Sequence, residues 1–349
     1  MSEMVKYPKL IKKKQYCYEI EEQLGAKRPN PECQLKELGN LKSWNKEIRV
    51  TEFVLHSLSG PRQLQLFYFA FFTLFYLSTL LGNFLIAFPV LSEPALHTPM
   101  YFLLSNLSFI DACLSTFATP KMIVDFLMER NTISFEGYIA QILFLHLFVG
   151  GEMILLVSIE YDRYVAICRP LHYTAIMSIC KCTGFVVGSW FFGILHSVSQ
   201  LVFIVNLPFC GPNNVDSFFC DLPLVIKLAC ADTYILEILI RLNSDILGLC
   251  CLVLLFMSYT VILVTMRRRS SSGMAKARAT LTAHITVVIL LFGTSVFIYA
   301  WPFHNFTGDK ILSIFYTDFT PLLNPLIYTL RNKEVISAMQ KLRRLKISS

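Results

Sequence analysis

Seven apolar runs, each roughly 20 residues or longer, constrain this chain more than any other feature, because each matches the about 30 Å hydrocarbon thickness of a bilayer. They run approximately from Leu66 to Leu91, Met100 to Ile123, Tyr138 to Val165, Thr183 to Val205, Leu236 to Thr265, Ala279 to Trp301 and Ile311 to Leu330. The runs are continuously apolar and lack the alternation of a barrel strand. Helices are therefore expected, because they satisfy their own backbone groups within one segment. The fifth run is the least clean, with Glu237, Arg241 and Asp245 near its start. Composition agrees: 54% of the 349 residues are hydrophobic and 16% are charged, the balance of an integral membrane protein. The net charge of +7 does not indicate nucleic acid, since most basic residues sit in the tail and between the apolar runs.

Orientation follows from where Lys and Arg accumulate. Arg163 lies at the end of the third run and Arg169 follows it; Arg267, Arg268, Arg269, Lys276 and Arg278 separate the fifth from the sixth; Arg331, Lys333, Lys341, Arg343, Arg344 and Lys346 follow the seventh. Those three segments are expected to be cytoplasmic, which places the N-terminus outside. The expected fold is an all-α membrane bundle of seven transmembrane helices over 50–330. A polar extracellular extension over 1–49, expected to be disordered, precedes it, and a basic cytoplasmic tail over 331–349 follows, with the makings of a short amphipathic helix.

The cysteines and histidines divide by compartment. Cys210, Cys220 and Cys230 lie between the fourth and fifth runs, in a loop expected outside, where disulfides persist. Cys113, Cys168, Cys180, Cys182, Cys250 and Cys251 fall in or beside runs and read as small hydrophobes. No spacing reads as a zinc site; His146, His196 and His284 each stand singly in a run and read as packed or pocket-lining side chains.

The third run ends in Glu160-Tyr161-Asp162-Arg163-Tyr164-Val165-Ala166-Ile167-Cys168. An arginine at the foot of a membrane helix needs a carboxylate or an aqueous exit, and a paired one can serve as a releasable lock. Pro99-Met100-Tyr101-Phe102-Leu103-Leu104-Ser105-Asn106-Leu107-Ser108 opens the second run, Lys276 to His284 opens the sixth, and Pro321-Leu322-Leu323-Asn324-Pro325-Leu326-Ile327-Tyr328 lies in the seventh. In these four strings, in this order, the chain resembles the vertebrate olfactory receptors, within the rhodopsin-like class of G-protein-coupled receptors, from about Thr51 to Lys341.

The resemblance implies that a small volatile odorant binds in the extracellular half of the bundle and favours an arrangement that activates a heterotrimeric G protein of the olfactory, stimulatory type at the plasma membrane. It implies no enzymatic chemistry. Asp162, Arg163, Tyr164 and Tyr259 would form the coupling switch, with Asn324, Pro325 and Tyr328 as a second switch where proline weakens the seventh helix. Odorant contacts would fall on Leu145, His146, Val149 and Gly150, on Asn243 and Ser244, on Phe292, Ser295, Val296 and Tyr299, and on Thr317. Asp111 and Glu152, with Asn83 nearby, are acids inside runs and should face the interior, around either a sodium ion or proton, or a water-filled network.

The chain departs from the family pattern in several places. Tyr138 stands where the family has the cysteine that bridges the third helix to the second outer loop; Cys210 and Cys230 would still form that loop's internal disulfide, which leaves Cys220 outside it. Glu160 replaces a small residue and would compete for Arg163. Asp245 and Asp318 place charges in the fifth and seventh runs, Asp318 as a candidate anchor for an amine odorant. The N-terminal extension has no Asn-x-Ser/Thr acceptor, and Asn305-Phe306-Thr307 fits one after the sixth run. Two rival readings are a secondary transporter, which should show internal repeats that are absent here, and a receptor-like protein that is poorly exported or has lost coupling.

Overall fold

A proline or a capping serine sets the start of most of the helices. The computed structural model describes residues 52–55, 61–128, 131–205, 207–209, 213–215, 217, 220, 222–229, 231–268, 282, 285, 319–329 and 337. Its helices are α1 (Arg62–Ser92), α2 (Pro99–Asp125), α3 (Phe135–Cys168), the single-turn α4 (Tyr173–Ile176), α5 (Ile179–Leu201), the short α6 (Leu222–Lys227), α7 (Tyr234–Arg268) and α8 (Thr320–Thr329). α2 starts with Pro99 in the first helical position after an extended Thr98. α3 is capped by Ser134, whose side chain accepts from the Gly137 amide at 3.1 Å, and α5 by Ser178, which accepts from the Lys181 amide at 3.3 Å. α3 ends at Arg169-Pro170, where proline cannot continue the ladder.

Among the described residues five helices, α1, α2, α3, α5 and α7, are long and apolar enough to cross a membrane. Each lies within four residues of its expected bounds. The start of α1 and both ends of α5 shift by four; at the end of α5 the apolar letters continue to Val205 but the helix stops at Leu201. The turn over Val202 to Val205 buries Ile204 completely in a neighbouring cluster. The sixth expected span, apart from Thr282 and Ile285, and the seventh before Phe319 fall outside the described residues. So do 1–51 and nearly all of the basic tail.

α3 is the central helix, packed against α2, α5 and α7, while α1 packs on α2 and α8. α7 turns one stripe inward, Cys251, Leu255, Tyr259, Ile262 and Met266, at the three- and four-residue spacing of a single helical face. Leu249, Val253, Phe256 and Val264 point outward, as a lipid-facing side requires.

One end of the bundle carries a small sheet that the all-helical expectation did not contain. β1 (Glu52–Leu55) lies between β2 (Thr132–Ser134), antiparallel, and β3 (Asn214–Val215), parallel. Phe53 pairs with Ile133, and its ring lies 4.8 Å from Tyr138 and 5.9 Å from Phe209. Phe53, Leu55, Tyr138, Ile204, Val215 and Cys220 form an apolar cluster separate from the main core.

Candidate functional site

Polar side chains buried between the membrane helices gather at three levels along α3. At the middle level Asp111 of α2, Glu152 of α3 and Asn324 of α8 converge. The Asn324 amide donates to Asp111 Oδ2 at 2.8 Å and to Glu152 Oε1 at 3.5 Å. All three are at most 1% exposed. Asp111 Oδ1, Asn324 Oδ1, Asn83 Oδ1 and Ser115 Oγ are buried without a hydrogen bond among the described residues. The donor set around the two acids is thus oxygen, the chemistry that suits a hard cation or a water cluster.

Asn83 holds α8 in place by a direct consequence of Pro325. Proline has no N–H for the carbonyl four residues before it, which is that of Pro321, and the Asn83 amide donates to that oxygen at 3.0 Å. The same amide donates to Thr79 O at 3.0 Å. Gly82 makes the approach possible, since a Cβ there would lie 3.1 Å from Pro325 Cγ. Pro325 therefore weakens its own helix and is compensated by the first one. Tyr328 lies on α8, but its side chain is outside the described residues.

At the Arg163 end the partners differ from a simple Asp162–Arg163 pair. Asp162, 2% exposed, accepts a hydrogen bond from the Tyr173 hydroxyl of α4 at 2.8 Å. Burial, together with that bond and the carboxylate's charge, holds the Tyr173 phenol above its ordinary range, so it stays a donor. Glu160, also 2% exposed, has the Arg163 charge and the Tyr259 hydroxyl as its neighbours. Cys168 Sγ lies 3.6 Å from Thr265 Oγ1 and ties α3 to α7 at the same end. Tyr164 is half-buried beside the main core and stacks on Tyr161 at 6.3 Å.

At the third level, toward the sheet end, Leu145 and Gly150 are buried and His146 and Val149 half-buried on α3. Asn243 and Ser244 on α7 are engaged with α5: Asn243 Nδ2 donates to Ser199 Oγ and Gln200 Nε2 donates to Ser244 Oγ, both at 2.7 Å. Any ligand using those two residues competes with that seam. Asp245 is exposed on α7, one turn after Arg241. Phe292, Ser295, Val296, Tyr299, Thr317, Asp318, Asn305, Cys210 and Cys230 lie outside the described residues. Phe209 and Ala229, which precede the two cysteines, pair in an isolated antiparallel bridge.

Several residues gain a part that their letters did not announce. Tyr138 is fully buried in the sheet-end cluster with Cys220, and Gln141 clamps the loop there: its Oε1 accepts from the Cys220 amide at 3.1 Å and its Nε2 donates to Phe117 O at 2.9 Å. On α5, Ser189, Gly193 and Ser197 form a stripe of small residues at four-residue spacing, the pattern that lets membrane helices approach closely. Ser197 donates to Leu143 O at 2.6 Å, and a Cβ on Gly193 would lie 2.4 Å from Leu147 O. The stripe was readable in the sequence; which helix it faces was not. His146 and His196, each single in its own run, are brought by this crossing to 5.6 Å between ring centroids.

Comparison with known proteins agrees with the helical layout. The family model described as olfactory receptor matches residues 72–346. The chain is 65% identical over 295 residues to human olfactory receptor 4K15, covering 84% of this chain and 91% of that one. It is 60% identical over 300 residues to human olfactory receptor 4K3, covering 86% and 95%, and 59% identical over 303 residues to human olfactory receptor 4K1, covering 87% and 97%. With a helical membrane bundle, four family strings in register and relatives of this identity over most of its length, the chain belongs to the olfactory receptor family.

Proposed function

We propose that this odorant receptor takes its ligand in the half of the bundle nearest the small sheet, with that end extracellular, and signals from the Arg163 end through a stimulatory-type heterotrimeric G protein at the plasma membrane. The observation that carries this reading is the arrangement of polar groups along α3. His146, Glu152 and Arg163 lie on one continuous helix, and at 1.5 Å per residue the first and last are roughly 25 Å apart. A ligand that contacts the His146 level differently in two arrangements of α3 shifts the equilibrium at the Arg163 level by its difference in affinity.

Within this reading, Arg163 is the coupling group, with Asp162 engaged by Tyr173 and Glu160 close to the guanidinium. The Asp111–Glu152–Asn324 level takes a sodium ion; support comes from two buried carboxyls that share one amide donor beside other oxygen atoms without hydrogen bonds among the described residues. Cys210 and Cys230 form the loop disulfide, a reading supported by the antiparallel Phe209–Ala229 bridge one residue before each. Asn305 is the glycan acceptor.

The test is a second-messenger reporter assay in cells that express the surface-tagged chain against a broad panel of volatiles, with Arg163→Ala as the uncoupled control. A dose-dependent cyclic nucleotide rise that Arg163→Ala abolishes at equal surface level is expected. Surface-exposed receptor that stays silent to the whole panel would refute the coupling. Replacing external sodium with choline should shift the dose–response curve, and an unchanged curve would assign the middle level to water.

A further inference from the structure

Two carboxyls flank Arg163, and the structure holds them differently. Asp162 accepts a hydrogen bond from the Tyr173 hydroxyl at 2.8 Å, whereas both Glu160 oxygens are buried and make no hydrogen bond among the described residues. Glu160 and Arg163 are three positions apart on α3, the spacing that makes neighbours on one helix face. From α7 the Tyr259 hydroxyl faces the same carboxyl. Leu255 and Ile262, one turn to either side of Tyr259, are at most 1% exposed, so the wall that α7 presents there is otherwise apolar.

The other ionisable groups of the packed helices turn elsewhere. Cys182 of α5 and Tyr173 of α4 act on Asp162. On α3 itself Glu152 lies eight residues, roughly 12 Å, from Glu160, and it shares Asn324 with Asp111 of α2. Lys121 and Asp125 of α2 pair with each other toward the opposite end of the bundle. Among the described residues, Tyr259 and Arg163 are thus the ionisable side chains that face Glu160, and Arg163 supplies the opposing charge.

A buried carboxylate that lacks hydrogen bonds keeps its charge only while an opposite charge stays beside it. When Arg163 leaves this corner, the carboxylate stands alone in apolar surroundings, and taking up a proton removes that cost. Release of the guanidinium and protonation of Glu160 are then one linked event. The released arrangement binds one proton more than the resting one, so it gains population as pH falls, by at most about tenfold per pH unit. Asp162 does not share this dependence, because the Tyr173 hydroxyl supports its charge independently of Arg163.

We propose that Glu160 makes this receptor proton-coupled: its carboxylate holds Arg163 in the resting arrangement, and a proton that binds Glu160 opens the lock. The proton comes from water, forms one O–H bond on the carboxyl and changes no oxidation state. The link between Glu160 and Arg163 stands on the geometry by itself. That the proton is cytosolic, and that opening raises signalling, rests on the reading of the Arg163 end as the coupling end. A receptor with a small residue at this position has no acid in the corner and is expected to lack the effect.

Infrared difference spectra of purified receptor in lipid nanodiscs, titrated between about pH 8 and 5, test the link without any G protein. A carboxylic-acid C=O band is expected to grow as pH falls, to be missing in Glu160→Gln and to remain in Asp162→Asn. Glu160→Asp keeps the acid and should keep the band, which separates a lost carboxyl from lost folding. In Arg163→Met the band should already be present at the alkaline end. A titration unchanged by Glu160→Gln, or a Glu160 band that Arg163→Met leaves at the same pH, overturns the link. The second arm clamps cytosolic pH in reporter cells and compares ligand-free output at equal surface level. The excess of Glu160→Gln over the wild type should shrink from roughly fivefold toward none as pH falls. A ratio that stays constant while the band titrates overturns the control of coupling. A chain that never signals leaves the spectra to decide the link, so failure of the receptor reading is told apart from failure of the proton switch.

Discussion

At the scale of single residues, the carboxylate at 160 is the change with the largest expected effect. It stands where similar receptors have a small residue, two positions before Asp162, and it shares its buried corner with the Arg163 charge and the Tyr259 hydroxyl. A partly screened pair of this kind is worth about 1 kcal/mol, which corresponds to a roughly fivefold shift between two receptor arrangements. Glu160→Ala is therefore expected to raise ligand-free reporter output about fivefold at equal surface level, and an output matching the wild type would remove Glu160 from the lock. The sequence made Glu160 conspicuous because a buried acid is expensive. It did not reveal that Asp162 turns instead to Tyr173, because nothing in the spacing of residues 162 and 173 says how the chain after Pro170 folds back.

At the scale of elements, the α3–α5 crossing is the most exacting contact. Gly193→Ala would place a Cβ 2.4 Å from Leu147 O, and that backbone can yield only if the helices separate. Gly188, on the same helix, has nothing within 4 Å of its virtual Cβ. Gly188→Ala should be neutral or gain up to about 1 kcal/mol in helix propensity. Gly193→Ala should lower both the thermal midpoint of purified receptor and its surface level; equal behaviour of the two variants would contradict the close crossing. Helix positions were legible from the length of the continuous apolar runs alone, to within four residues at every compared end. Pairing was not, because the rotation of one helix against another depends on side chains from both. That is why Asp111 and Glu152 could be placed in the interior from the expense of burying charge, while the approach of Asn324 to both acids and of His146 to His196 could not be read.

At the scale of the whole molecule, the sheet end replaces a covalent tether with packing. Phe53, Tyr138 and Cys220 share one buried cluster, and the Gln141 clamp holds the loop backbone. Three strands of two to four residues carry no periodic signal and find one another only across long stretches of chain, so this sheet was invisible in the sequence. Removing the ring by Tyr138→Ala should destabilise the end by about 3–5 kcal/mol and reduce surface level. Tyr138→Cys should recover part of that loss by bonding to Cys220, detected as a linked peptide under non-reducing digestion; no linked peptide and a loss equal to that of alanine would reject the exchange. The contact between the first and last described helices has a further consequence during synthesis. Asn83 donates to a carbonyl 238 residues later in the chain. At about 5–20 residues per second the ribosome needs roughly 10 to 50 s to supply that acceptor. Through that interval the first helix waits in the membrane with its amide only half engaged, so the nascent receptor depends on whatever shelters an unfinished bundle until its last helix arrives.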